Sequence, residues 1–177
     1  MKALVVYESL FGNTAAISET IAASLRARGM EAVARPVTEI PPTTTGDLDL
    51  LIVGGPTHAH GMSRSSTRKA GATDAKNTYA EPTVEPGLRA WLDDVPAGDG
   101  RGAAAFDTRI HKAAWMTGSA AKGIAARLER DGFRLVAEPE SFFVTTANTL
   151  EDGESEHAAT WAARLQELFG GTTTDAR

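Results

Sequence analysis

Residues 7–14 read YESLFGNT and follow directly on the apolar run Leu4-Val5-Val6. That run is short, continuous and rich in β-formers, and it predicts a strand covered on both faces. From Asn13 the pattern changes. Ala16, Ile17, Ile21 and Leu25 recur at helical spacing, and Gly29 stops the helix. Strand and helix are therefore joined by a handful of residues. The first amides of such a helix have no partners, and they face the loop with the positive end of the helix dipole behind them. Gly12 lets a ligand approach the backbone, and Ser9, Asn13 and Thr14 add short polar groups on the same side. The combination is an anion cradle made of uncharged groups. No Lys follows the glycine, so this is not a Walker loop, and one glycine does not make G-x-G-x-x-G. The plainer reading, that Ser9 and Thr14 only cap the helix, stands beside it.

Working outward, residues 31–37 alternate and contain Pro36, which suggests an exposed edge strand. Residues 48–53, LDLLIV, are the most hydrophobic strand, and Gly54-Gly55-Pro56 looks like its stop. Residues 57–82 are polar and without period, an unusually long connection for a compact domain. A helix is expected over 86–95, a strand over 102–106 and a polar loop over 107–117. Another helix is expected over 119–131. The last strand region spans 133–144 with Pro139 interrupting it, and a final helix covers 154–169. The expected domain is 1–170, with 171–177 as a disordered tail. Strands alternating with helices imply a parallel sheet covered on both faces, with ligands at the carboxyl ends of its strands. Attention falls on the loops at 8–14, 54–62 and 107–117.

The bulk numbers bound the options. A chain of 177 residues is long enough for one well-cored domain. Net charge is -5, which argues against nucleic acid as the partner. The absence of cysteine removes disulfides, thiolate catalysis and iron–sulfur clusters. No apolar stretch approaches the length of a membrane span, and the amino terminus turns polar too soon for a signal peptide. The expected location is cytoplasmic.

Ser9-Leu10-Phe11-Gly12-Asn13-Thr14 after an apolar amino-terminal strand resembles the phosphate loop of flavodoxins and their flavodoxin-like relatives. Ser9, Gly12 and Thr14 match that family's pattern, while Phe11 stands where the family usually offers a hydroxyl. The resemblance implies a three-layer α/β fold with a five-stranded parallel sheet in the order 2-1-3-4-5 and helices on both faces. It implies non-covalently bound FMN and electron transfer to a redox partner protein or a small electron acceptor. It also places the flavin ring between Pro56, Thr57, His58, Ala59, His60 and Gly61 on one side and Asp107, Thr108 and Arg109 on the other. Trp115 either stacks on that ring or packs beneath the following helix.

Some residues carry readings of their own. Arg109, His111 and Lys112 are cations near the expected ring and predict a flavin less reducing than that of acidic flavodoxins. The competing reading turns Arg109 to solvent. A zinc site from His58, His60 and His111 is a minor alternative. Residues 62–76 carry Arg64, Arg68, Lys69 and Lys76 against one Asp, and read as a lid, an anionic-substrate or nicotinamide-phosphate contact, or a solvated loop. Two other functions stay open: an FMN-dependent nicotinamide or quinone reductase, and a flavin-free binding or regulatory module.

Overall fold

The computed structural model describes residues 1–58, 61–75, 77–112 and 118–174, with side chains through residue 170. Strands β1 (Lys2–Tyr7), β2 (Glu31–Pro36), β3 (Leu50–His58) and β5 (Gly102–Ile110) run parallel. They lie in the order β2-β1-β3-β5, so β2 is at the edge, as Pro36 suggests. The next position beside β5 is shared by two segments. β6 (Arg134–Leu135) pairs with the start of β5, and β7 (Glu140–Val144) pairs with its end. Pro139, which has no amide to donate, lies in the break between them. β4 (Gly61–Met62) folds back antiparallel on the end of β3. The sheet thus has seven strands where five are expected, while the parallel order across its positions is the expected one.

Helix α1 (Asn13–Ala27) and the last helix, α5 (Glu154–Thr174), cover one face. Ile17, Ile21 and Leu25 of α1 meet Trp161, Leu165 and Phe169 of α5 there, over Val5, Ile52 and Phe106. The short α3 (Leu88–Asp93) and α4 (Ala120–Arg130) cover the other, with Leu88, Trp91, Leu92, Ile124 and Leu128 over Leu4, Leu51 and Val53. Leu50, Leu51, Ile52 and Val53 are at most 1% exposed, since β3 is central and sandwiched. Each such side chain contributes about 1.5–3 kcal/mol on burial.

Several boundaries differ from expectation for physical reasons. Gly54-Gly55-Pro56 does not end β3, which continues to His58. A Cβ at Gly54 would lie 2.0 Å from the Phe106 ring, and one at Gly55 2.8 Å from Leu88. These glycines make room for facing side chains within a strand, and no turn is involved. β5 likewise runs on to Ile110, so Asp107, Thr108 and Arg109 are strand residues. Within the long connection lies helix α2 (Ser65–Ala72), which its polar sequence did not announce. α5 passes through Gly170-Gly171 to Thr174, beyond the end expected at 169. Among the described residues no helix is long and apolar enough to cross a membrane.

Candidate cofactor cleft

The strand–loop–helix junction forms as its residues suggest. Gly12 stands at φ +86°, in the left-handed region, and turns the chain into α1. A Cβ there would approach the Tyr79 ring at 3.0 Å. The long connection supplies that ring and also straps the loop from behind. Thr83 N donates to Ser9 O at 2.7 Å, Ser9 N donates to Thr83 Oγ1 at 3.1 Å, and Asn77 Nδ2 donates to Leu10 O at 2.9 Å. Among the described residues the amides of 11–14 donate to nothing, as the start of a helix requires unless a ligand accepts them.

The side chains of the junction have mixed duties. Ser9 is 1% exposed, and its hydroxyl accepts from Ala15 N at 3.4 Å, the capping role of the plainer reading. Thr14 Oγ1 shares a 2.8 Å hydrogen bond with Thr108 Oγ1, tying α1 to β5. Asn13 Nδ2 donates to Asn148 O at 2.9 Å.

A cavity of about 310 Å³ opens in front of this junction. Leu10, Phe11, Asn13 and Thr14 form one wall. Pro56, Thr57 and His58 from β3, with Thr108, Arg109 and Ile110 from β5, form another, and Val144 and Asn148 close the end. The loop after β1 and the carboxyl ends of β3 and β5 therefore meet, as the parallel sheet requires. Among the described residues no carboxylate lines the cavity. Burial holds the His58 imidazole below its ordinary value, which favours its neutral form. Ala59 and His60 lie outside the described residues, as does Trp115, and Gly61 faces a separate pocket beyond His58.

Asp107 is fully buried and turned away from this cavity's lining. Its Oδ2 accepts from Thr57 Oγ1 at 2.9 Å, Ser119 Oγ at 2.7 Å and Ala121 N at 3.0 Å. Thr57 Oγ1 in turn accepts from Ala120 N at 2.7 Å. One carboxylate thus fastens the ends of β3 and β5 to the start of α4. Its Oδ1 makes no hydrogen bond, and Arg109 Nε lies 3.9 Å from it.

Arg109 does not point freely to solvent. Nε donates to Ser141 Oγ at 3.1 Å and Nη1 to Lys112 O at 2.6 Å, and the guanidinium stands 5.0 Å from the Phe143 ring centre. His111 stacks on Phe143 at 4.1 Å and meets Glu151 at 3.0 Å. Among the described residues no three of His, Asp and Glu are grouped to hold a metal ion, and His60 of the zinc arrangement lies outside them.

Sequence reasoning missed Glu8. It is 1% exposed. Oε1 accepts from Ser63 Oγ, Oε2 accepts from Leu88 N at 2.8 Å, and Arg68 Nη1 lies 3.9 Å away. Burial pushes this carboxyl up from its ordinary value, against the pull of those donors. Arg68 also donates to Val84 O at 2.7 Å and pairs with Glu85 at 2.8 Å. The basic stretch is thus divided: Arg68 is a buried fastening of the strap, neither lid nor solvated charge. Glu8 directly preceding the junction at 9–14 was the available signal, since a buried acid there must be paired or neutral.

No protein-family model matches the sequence, and no curated protein matches it. Solved structures are similar. Flavodoxin 2 from Bacillus cereus shares 20% identity at a TM-score of 0.69, over 94% of this chain and 99% of that one. A flavodoxin from the domain Archaea shares 17% at 0.66, over 96% and 99%. Rubredoxin oxygen:oxidoreductase from Desulfovibrio gigas shares 18% at 0.62, with 96% of this chain matching 36% of that one. Identities this low speak to architecture alone. The chain has a flavodoxin-like fold.

Proposed function

We propose that the chain binds FMN in the cleft between α1, β3 and β5 and serves in electron transfer. The observation that carries this reading is the row of unpartnered amides at 11–14, opening onto an acid-free cavity at the carboxyl ends of three parallel strands. The residues present fit the group. A phosphate dianion satisfies the amides and the helix dipole together. Leu10, Phe11, Pro56, Ile110 and Val144 offer apolar surface, while Thr57, Thr108 and Asn148 offer polar contacts for the rest.

Amides 11–14 would hold the phosphate, with Thr14 and Asn13 bordering it. Thr57, His58, Thr108 and Arg109 would border the ring system, continued by residues 59–61. FMN, when bound, supplies one- and two-electron redox chemistry at its ring. The protein contributes orientation and charge. Arg109 adds positive potential that favours an electron-rich ligand, and Asp107 at 3.9 Å offsets part of it. The flavin is accordingly only modestly less reducing than one in an acidic setting. Electrons pass to a redox partner protein or a small acceptor.

Calorimetry with added FMN, followed by redox titration of the loaded protein, tests this. One site per chain and a reversible couple are expected; no heat and no couple refute it. A second reading, a flavin-free binding module, draws on the side chains of Asn13 and Thr14 being already tied to Asn148 and Thr108. A protein that purifies colourless and rejects FMN would establish that reading.

A further inference from the structure

Beyond His58, which lines both spaces, a second cavity of about 230 Å³ opens between β4, the start of α2 and α3. Gly61 and Met62 line it together with Arg64 and Arg89, its charged side chains, and no carboxylate is among the described residues of the lining. Arg89 is held in place by carbonyls: Nε donates to Ser63 O at 3.0 Å and Nη2 to Met62 O at 2.8 Å. Those acceptors are neutral, so they orient the guanidinium without cancelling its charge. Burial, then the charges of Arg64 and Arg127, press Arg89 below its ordinary value, while Glu8 pulls the other way. Arg127 is paired with Asp93 and Arg68 with Glu85. Among the described residues the Arg64 guanidinium has no hydrogen bond or ion pair. Two guanidiniums, with Glu8 offsetting part of the charge of Arg89, therefore share one concave space with no carboxylate among its described lining residues, in a chain whose net charge is -5. Such an arrangement costs free energy unless an anion joins it.

We propose that this pocket is a phosphate subsite, which anchors a small phosphorylated redox substrate whose other end reaches the neighbouring cleft past His58. Two guanidiniums lining one pocket suit an oxyanion of charge near two, bound by charge-assisted hydrogen bonds. Phosphate binding itself stands without the flavin; the role as substrate anchor rests on the FMN reading. The subsite gives the basic stretch at 62–69 two separate duties, with Arg68 inside the fold and Arg64 at the ligand.

The test is a titration of the full 15N-labelled chain with inorganic phosphate, with and without FMN, at low salt. Saturable shifts are expected at amides 61–67 and at Arg89. Arg64→Ala should weaken binding about fivefold, the scale of one exposed charge, and added salt should weaken it further. Arg64 is exposed, so the variant's remaining amides should keep their positions. Shifts confined to 11–14, or isotherms that superpose for wild type and variant, overturn the subsite. If FMN fails to bind while the shifts at 61–67 remain, the flavin reading and the anchor role have failed and phosphate binding at the pocket stands. A second arm compares a 2′-phosphorylated nicotinamide dinucleotide with its unphosphorylated counterpart. Tighter binding of the phosphorylated form, lost in Arg64→Ala, supports a phosphate ester as the ligand. Equal binding of the two overturns the anchor role and leaves a site for free phosphate.

Discussion

Asp107→Ala is expected to loosen the cleft at its hinge. Asp107 Oδ2 accepts three hydrogen bonds, from Thr57, Ser119 and Ala121, at 2.7–3.0 Å. Hydrogen bonds to a charged acceptor contribute about 1.5–3 kcal/mol each, so the gross loss is about 5–9 kcal/mol. Two effects reduce it. The buried carboxylate is costly to desolvate, with Oδ1 unbonded. The hydroxyls of Thr57 and Ser119 can also turn to other partners, whereas Ala121 N is buried and cannot. A net cost of about 3 kcal/mol remains, corresponding to a fall in Tm of roughly 6–12 °C for a chain of this size. Asp107→Asn keeps an acceptor oxygen and should cost about 1–2 kcal/mol. Urea unfolding followed by Trp fluorescence measures both. FMN affinity should fall in parallel, because Thr57 loses its anchor. An alanine variant within about 1 kcal/mol of wild type would refute the view that this carboxylate fastens the strand ends to α4.

Gly54→Ala puts a methyl 2.0 Å from the Phe106 ring and should destabilise by about 3 kcal/mol or more, with Phe106→Leu in the same chain restoring part of it; two losses that simply add in denaturant unfolding would contradict that cause. Glu8→Gln tests the buried acid through pH. Burial raises the Glu8 carboxyl above 4.5, so its stabilising contribution is whole below that pH and is lost as pH rises through the raised native value. The stability of wild type relative to the Gln variant should therefore decline as pH rises above the ordinary carboxyl value and through the raised native one, and a flat difference would count against it. Gly12→Ala forces a non-glycine residue into φ +86° beside Tyr79, at a cost of about 1–2 kcal/mol, and should also weaken FMN binding; calorimetry showing unaltered FMN affinity would separate the cradle from the ligand.

The parts of this fold that were legible from sequence are those set by local pattern. The apolar runs at 2–7 and 48–53, the helical spacing of Ile17, Ile21 and Leu25, and Gly12 before Asn13-Thr14 each carry their cause within a few residues. The parts that were not legible depend on partners far along the chain. Gly54 reads as a turn until Phe106 is seen lying where its Cβ would be. Arg68 reads as a solvated cation until Glu8, sixty residues earlier in sequence, closes on it across a buried space. α2 has few apolar residues to show a period, and it lies against Leu10 and Phe11 at Gly71, a closeness no local pattern announces. That residues from the ends of β1, β3 and β5 lie side by side was legible in strand order, since Leu10, Pro56, Thr57 and Thr108 line one cavity, although Gly61 lines another and Asp107 neither. The duties of the individual side chains were not, because Ser9, Asn13, Thr14 and Asp107 each chose an internal partner that no spacing rule specifies.

The most direct measurement is a side-by-side fluorescence titration of the protein with FMN and with riboflavin, which differ only in the phosphate. Amides 11–14 gripping that phosphate predict quenching at one FMN per chain, with riboflavin bound at least about a hundredfold more weakly, as expected when several charge-assisted hydrogen bonds are lost. Equal affinity for the two, or no quenching by either, would contradict it.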